Sequence, residues 1–153
     1  MINVLANPDI FKIGEDDAAI LETLAVGKRC LDIGTGTGRS SLALSQTARS
    51  VVSVDPEDFV VYHRYSVDYL ITKWQDLELS NYNFDLAFID HFGTRVDVAC
   101  ILLQAGISTV IIHDTKHPLP SDEWETAEER LMAAGATDIV YYDTAQGMVK
   151  ATL

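Results

Sequence analysis

A glycine-rich turn between a strand and a helix constrains the fold of this chain more than any other stretch. Residues 30–33 are typical of the end of a buried strand. Three glycines follow at alternate positions, Gly34, Gly36 and Gly38, and a helical pattern begins near Ser40. Because glycine lacks a Cβ, the backbone can turn tightly here and a ligand can approach it closely. The free N–H groups at the start of the helix can bind a negative group.

The residues around this turn favour a cationic ligand over a dinucleotide. The dinucleotide fingerprint places its third glycine three residues after the second. That position is Arg39 here, and the third glycine is Gly38. Asp32 lies two positions before the first glycine, and its carboxylate would repel a pyrophosphate. It would instead attract the ammonium of S-adenosylmethionine, which has no phosphate.

The composition narrows the class of protein. The 153 residues are about the length of one domain, and 48% of them are hydrophobic, enough to form a core. A net charge of −12 argues against a nucleic-acid surface. No apolar run is long enough to span a membrane, and the first residues do not match a signal peptide. Since Cys30 and Cys100 lie in apolar segments, we expect an acidic, reduced, cytoplasmic protein of one domain, residues 1–153.

Strands and helices alternate along the chain. Strands are predicted over residues 29–33, 51–54, 84–90, 109–113, 138–142 and 148–152. Helices are predicted over about 17–25, 39–47, 95–104 and 122–134. This order predicts an α/β fold with a doubly wound, Rossmann-like and mostly parallel sheet, which ends in a C-terminal antiparallel hairpin.

The segment after the second strand has two interpretations. Asp55 can cap a helix and Pro56 suits its first position, so we predict a helix over 56–65 and the third strand over 67–72. A parallel crossover also needs about a dozen residues, which this arrangement supplies. The alternative places the third strand over 59–65, which is rich in β-branched and aromatic residues, with an amphipathic helix after it.

The glycine turn resembles a known family. Residues 32–38, Asp-Ile-Gly-Thr-Gly-Thr-Gly, resemble the first motif of class I S-adenosylmethionine-dependent methyltransferases. The likeness in element order covers nearly the whole chain. It implies a mixed sheet whose last strand is antiparallel, with S-adenosylmethionine as the cofactor. The turn residues implied to bind it are Asp32, Gly34, Thr35, Gly36 and Gly38.

Two further groups at strand ends are candidates for cofactor binding. Asp55 ends the second strand about twenty residues after the turn, where a carboxylate can accept both ribose hydroxyls, with Pro56 beside it. Trp74, Gln75 and Asp76 follow the third strand. An amide or carboxylate there could bind the adenine amino group and the indole could stack on the ring. The alternative is a tryptophan in the core and a solvated aspartate.

The ends of the fourth and fifth strands resemble small-molecule O-methyltransferases. The motifs are Phe-Ile-Asp-His at 88–91 and Ile-Ile-His-Asp-Thr at 111–115. In the metal-dependent branch, the resemblance implies that Asp90 and Asp114 hold Mg²⁺, which would orient the acceptor hydroxyl and lower its pKa. It also implies that His91 lies against the adenine.

Departures from that branch change the expected base. Phe92-Gly93-Thr94 replaces the segment that carries a lysine, and Thr115 stands where the branch has asparagine. His113 or His91 is then the candidate general base, because imidazole titrates near neutral pH. The catalytic candidates are therefore Asp90, His91 and His113.

These features predict an S-adenosylmethionine-dependent methyltransferase that acts on a small molecule, with O-methylation and Mg²⁺ assistance as the finer expectation. The alternative is a binding protein of the same fold that senses S-adenosylmethionine without turnover. Such a protein could also need a second copy or another protein to complete its substrate site. The short loops favour that alternative, and the pair Asp90 and Asp114 favours the enzyme. We expect no binding to nucleic acid or membranes.

Overall fold

A seven-stranded sheet with strand order β3-β2-β1-β4-β5-β7-β6 organises the protein. It is seen in a computed structural model that describes residues 13–91 and 93–153. Strands β1 to β5 pair in parallel, whereas β7 is antiparallel to both β5 and β6. The strands are β1 Arg29–Ile33, β2 Ser50–Asp55, β3 Val67–Ile71, β4 Leu86–Ile89, β5 Thr109–His113, β6 Asp138–Tyr142 and β7 Met148–Thr152. The predicted mixed, doubly wound sheet is confirmed.

Helices cover both faces of the sheet. They are α1 Glu15–Leu24, α2 Arg39–Ser45, α3 Arg95–Gln104 and α4 Ala127–Ala133. Side chains of α1 and α2 share a hydrophobic cluster with one set of strand residues, and those of α3 and α4 share a cluster with the other set. Since strand side chains alternate between faces, Asp32 lies on the α1/α2 face with Cys30, and His113 lies there with Ile111. Among the described residues, no helix is long and apolar enough to cross a membrane.

The predicted element bounds agree with the structure in most places. Strands β1, β5, β6 and β7 and helix α3 have the predicted bounds, and α1 and α2 differ by at most two residues at either end. Helix α4 begins at Ala127, five residues later than predicted, after two 3₁₀ turns. The delay has a local cause, because Glu123 adopts a left-handed conformation with φ 47° between those turns.

The predicted helix over 56–65 is wrong, whereas the third strand over 67–72 is confirmed as β3. Residues 56–66 form an irregular segment that runs beside the glycine turn. The backbone N–H groups of Val61 and Tyr62 donate to the carbonyl of Thr37 at 2.9 and 3.0 Å. These long-range hydrogen bonds take donors that a helix would use internally, so tertiary contacts override the helix-start signal.

Arg95 at the start of α3 forms a buried ion pair with Asp122 and also hydrogen-bonds to the end of β5. Arg95 Nη2 lies 2.7 Å from Asp122 Oδ2, and both side chains are buried. Arg95 Nη1 also donates to the carbonyl of His113 at 2.7 Å, and its backbone N–H donates to Asp122 Oδ1 at 2.8 Å. Burial alone would raise the pKa of Asp122, but the hydrogen bonds from Arg95 and from the N–H of Leu119 lower it below its usual value.

We expect Arg95→Met to destabilise the protein strongly, because it leaves the Asp122 carboxylate buried without its cation. The loss in free energy of unfolding should be about 3–5 kcal/mol in urea titrations at neutral pH. Lys150→Met is the control, since Lys150 Nζ lies 3.9 Å from the exposed Asp138 carboxylate. That variant should change stability by less than about 1 kcal/mol. Equal losses in the two variants would contradict this account.

Candidate functional site

The glycine turn packs directly on the residue that follows β4. Gly34 has φ 94°, and a Cβ there would lie 2.1 Å from the carbonyl oxygen of Asp90. Gly38 has φ 92°, and a Cβ there would lie 3.0 Å from the carbonyl oxygen of Tyr62. Glycine is therefore required at both positions by the protein's own backbone. One consequence is that Asp90 is held immediately beside the turn.

The sheet topology brings the predicted site residues to one edge. Parallel strands end on the same side, and the register pairs Ile33 with both Val54 and Ile89. The glycine turn and the residues that follow β2, β3, β4 and β5 therefore lie along the carboxyl edge. The chain reverses its winding direction between β1 and β4. Open α/β sheets bind ligands in the crevice at such a switch point.

Asp55 connects the glycine turn to the end of β2. Its Oδ2 accepts the backbone N–H of Gly36 at 3.1 Å, and its Oδ1 accepts the N–H of Glu57 at 3.0 Å. The side chain is only half-buried, and an exposed Pro56 follows it. Because a carboxylate has about four lone-pair positions, each oxygen retains capacity for a second donor. The role of Asp55 toward ribose thus stays a prediction that this geometry allows.

Asp32 is fully buried and has a structural role. The Ser40 hydroxyl lies 3.0 and 2.9 Å from its two oxygens, and the Ser53 hydroxyl donates to Oδ2 at 2.8 Å. The Thr35 hydroxyl in turn lies 2.7 Å from that of Ser53. Asp32 thus links β1, β2 and the start of α2 beneath the turn. It does not reach the surface, so the predicted direct contact with a ligand ammonium is corrected.

The pKa of Asp32 reflects this burial. Desolvation, together with the charges of Asp90 and Asp55, raises the pKa to about 7, although the hydrogen bonds from Ser53 and Ser40 lower it. The carboxyl group therefore shifts toward its neutral form near pH 7. A neutral or partly neutral group has little attraction for a cation.

His113 lies between two carboxylates in the interior. Its Nε2 is 2.9 Å from Asp17 Oδ2, and its Nδ1 is 3.0 Å from Asp90 Oδ2 in an ion pair that falls outside good hydrogen-bond angles. Burial would lower the pKa of His113, but the interactions with Asp17 and Asp90 outweigh it and raise the pKa to about 10. The imidazole is a cation at neutral pH. This environment disfavours a general base at His113, and that role stays a prediction.

The predicted Mg²⁺ site does not fit the residues present. Asp90 already pairs with the His113 cation, and Asp114 Oδ1 lies 3.4 Å from His117 Nδ1. Across residues 13–91 and 93–153, no group of three or more histidine, cysteine, aspartate or glutamate side chains could hold a metal ion. Asp90 and Asp114 are thus not presented to a metal ion as a pair of free carboxylates.

The candidate adenine ligands have different environments. Trp74 begins a 3₁₀ turn and is partly buried against the α3/α4 hydrophobic cluster, which favours the alternative of a core tryptophan, and its stacking on adenine stays a prediction. Gln75 and Asp76 are exposed after the end of β3, and their contact with adenine stays a prediction. His91 follows Asp90, with its Cε1 beside Gly93. Phe92 lies outside the described residues.

A shallow aromatic cavity at the same edge was not predicted from the sequence. Its volume is about 260 Å³, and Trp124, Tyr141, Tyr142 and Met148 contribute to its lining. It lies beyond the ends of β5 and β6, where Lys116 Nζ is 2.6 Å from Asp143. The paired tyrosines at the end of the predicted sixth strand were an available signal, because that strand also ends at the carboxyl edge.

We expect Asp32→Asn to change the pH dependence of stability. The pKa of Asp32 rises from 3.8 to about 7 on folding. Between these two pKa values, the folded protein holds a proton on Asp32 that the unfolded chain has released. The free energy of unfolding therefore falls as the pH rises from about 4 to about 7. Asp32→Asn should remove about 3 kcal/mol of that decline in urea titrations between pH 4.5 and 7.5. The exposed Asp68→Asn should keep the wild-type slope; an unchanged slope in Asp32→Asn would refute the assignment.

In the sequence comparisons, neither a family model nor a curated protein sequence matches the chain.

Structural comparisons find many similar folds. An O-methyltransferase from Bacillus cereus, solved with SAH, has a TM-score of 0.73 and 16% identity, over 99% of this chain and 86% of its own. The SAH-bound methyltransferase PaMTH1 from Podospora anserina has a TM-score of 0.63 and 15% identity, over 95% and 81%. The O-methyltransferase TomG from Streptomyces achromogenes, solved with SAM, has a TM-score of 0.64 and 17% identity, over 94% and 82%.

These neighbours superpose on most of this chain at 17% identity or less, so the likeness concerns the fold. It agrees with the glycine turn at the switch point and with the antiparallel β7. The chain has the fold of the class I S-adenosylmethionine-dependent methyltransferases.

Proposed function

We propose that the protein binds S-adenosylmethionine at the carboxyl edge between β1 and β4 and transfers its methyl group to a small molecule. One observation carries this proposal: the glycine turn, Asp55 and Asp90 meet at the switch point of the sheet. Gly36 bonds to Asp55, and Gly34 packs on Asp90. Neighbours of the same fold were solved with SAM or SAH.

Asp55 is the proposed ribose ligand. Both of its oxygens are held in place by backbone N–H groups, so the carboxylate is oriented before any ligand arrives. Orientation in advance lowers the entropy cost of binding. The two ribose hydroxyls would donate to the lone pairs that remain.

Asp90 is the proposed ligand for the ammonium of the cofactor, in place of the buried Asp32. Its side chain is 33% exposed and its backbone abuts Gly34. The glycine turn and Asp90 thus line the same crevice from its two sides. His91, Gln75 and Asp76 are the proposed contacts of the adenine.

Methyl transfer needs positioning more than proton chemistry. The sulfonium of S-adenosylmethionine is already activated, so in-line alignment of nucleophile and methyl supplies much of the rate. The raised pKa of His113 favours its protonated form, which is poorly suited to take a proton from the acceptor at neutral pH. An acceptor that ionises readily, such as a phenol or a carboxylic acid, therefore suits the site better than an aliphatic alcohol. The aromatic cavity beside Tyr142 and Met148 is the proposed place for its ring.

Calorimetric titration of the purified protein with SAM, SAH and NAD tests the cofactor assignment. We expect micromolar binding of SAM and SAH and no binding of NAD. Asp55→Ala should weaken SAH binding at least about tenfold, or ~1.4 kcal/mol. Glu57→Ala is the matched control, because this exposed residue follows closely on the same segment. Asp55→Asn, which keeps an acceptor, should fall between the two.

Absence of SAM and SAH binding by the folded wild-type protein would overturn the proposal. Equal affinities in Asp55→Ala and Glu57→Ala would place the ribose elsewhere. Because Asp55 also accepts a hydrogen bond from the glycine turn, the thermal midpoints of all variants are measured to detect any loss of stability.

A second candidate function is S-adenosylmethionine binding without turnover by the isolated chain. The protonated His113 favours it, because the histidine on β5 is then not a general base. Incubation with labelled SAM and a panel of phenols and carboxylic acids, with and without Mg²⁺, separates the two. Methylation independent of Mg²⁺ supports the enzyme. Tight binding without methylation supports a sensor, or a site that a second copy or a partner protein completes.

A further inference from the structure

We infer that Asp17 and His113 are positioning residues that hold the carboxylate of Asp90 toward the cofactor crevice. The inference rests on the proposed function, because it assigns Asp90 a place in the cofactor site. It adds a residue of the first helix, Asp17, that no motif of the chain points to. These three side chains contact one another in a row, which we call the Asp17–His113–Asp90 chain.

The contacts of this chain connect three distant parts of the sequence. Asp17 lies in the first turn of α1, His113 ends β5, and Asp90 follows β4. The imidazole nitrogens lie 2.9 Å from Asp17 Oδ2 and 3.0 Å from Asp90 Oδ2. One rigid, planar ring therefore spans the gap between the helix and the crevice. Its Nε2 is hydrogen-bonded to Asp17, and its Nδ1 keeps Asp90 Oδ2 close through an ion pair.

Burial separates the roles of the three members. The Asp17 and His113 side chains are 0% and 2% exposed, whereas that of Asp90 is 33% exposed. Only the last member of the chain reaches the crevice. Asp17 cannot touch a ligand there, and His113 is the partner that connects it to Asp90.

The backbone around the chain is fixed independently. Arg95 Nη1 donates to the carbonyl of His113 at 2.7 Å, and the ring of Phe88 lies 5.6 Å from the imidazole. At the other end, the N–H of Gly14 donates to Gln146 Oε1 at 3.1 Å, and the N–H of Ala145 donates to Asp16 at 3.0 Å. The start of α1 is thereby attached to the turn between β6 and β7. These contacts hold the two ends of the chain in place.

Two carboxylates and one imidazolium leave a net charge of −1. Each ring nitrogen lies within 3.0 Å of a carboxylate oxygen, which favours a ring that is protonated at both nitrogens. The uncompensated negative charge is available at the accessible end, on Asp90. A cationic group of the cofactor is the ligand chemistry that this end fits, and the fixed ring keeps the carboxylate from turning away.

A double-mutant cycle on SAH affinity tests the inference. Asp17→Asn keeps the shape of the side chain but removes its charge, and Asp90→Asn removes the ligand carboxylate. We expect each to weaken SAH binding about tenfold. The double variant should be no weaker than Asp90→Asn alone, because Asp17 acts through Asp90. The inference would be overturned if the losses of SAH affinity in the two single variants multiplied in the double variant. An unchanged affinity in Asp17→Asn would overturn it as well.

A control separates positioning from loss of stability. Ile112→Val removes a methylene next to His113 on the opposite face of β5, in the α3/α4 cluster. It should lower the thermal midpoint and leave the affinity for SAH unchanged. A loss of affinity in this control equal to that of Asp17→Asn would mean that destabilisation alone explains both.

Imidazole nitrogen NMR of the wild-type protein supplies a readout that needs no cofactor. We expect two slowly exchanging ring N–H signals from His113 at pH 7.5, and altered signals in Asp17→Asn and in Asp90→Asn. A ring with one protonated nitrogen would overturn the chain of contacts even if SAH binds. Two N–H signals in a protein that does not bind SAH would instead overturn the proposed function, and with it the role toward the cofactor.

Discussion

The close contact between Gly34 and the carbonyl of Asp90 is the constraint on which the site depends. With 2.1 Å between that oxygen and a Cβ built on Gly34, only glycine lets the ends of β1 and β4 meet. This contact holds the glycine turn against the residue that follows β4, at the switch point of the sheet. It also places Asp90 where its carboxylate can face both His113 and a ligand. The bond between Gly36 and Asp55 then attaches β2 to the same turn.

The sequence was sufficient for most of the sheet, because its strands are short apolar runs separated by clear helix and turn signals. It failed at residues 56–66, where Asp55 and Pro56 are strong local helix-start residues. The carbonyl of Thr37 takes the N–H groups of Val61 and Tyr62 there. Local rules cannot anticipate those bonds, since the acceptor lies more than twenty residues earlier in the chain. Tertiary structure therefore decided the conformation of this segment.

The location of the candidate site was predictable from the sequence, whereas the roles of its individual residues were less so. Parallel strands had to bring Asp55, Asp90 and Asp114 to one edge. Strand alternation further places Asp32 and His113 on the α1/α2 face, inside the core, which rules out a direct ligand contact for Asp32. The alternation of side chains along a strand does not show which residue pairs with the buried His113. Asp17 is one helical turn before Leu21 on the buried face of α1, and such an acid needs a cation that the sequence alone does not identify.

The carboxylates of Asp17 and Asp90 keep the imidazole of His113 in its cationic form around neutral pH. His113 stays cationic until pH approaches about 10, since Asp17 and Asp90 hold its proton. Because its pKa is raised on folding, the stability it contributes is complete below pH 6.5 and declines toward pH 10. Within that range the imidazolium keeps its contacts with both carboxylates. A fixed cation that orients a carboxylate suits binding and alignment, and alignment is what transfer from an activated sulfonium chiefly requires.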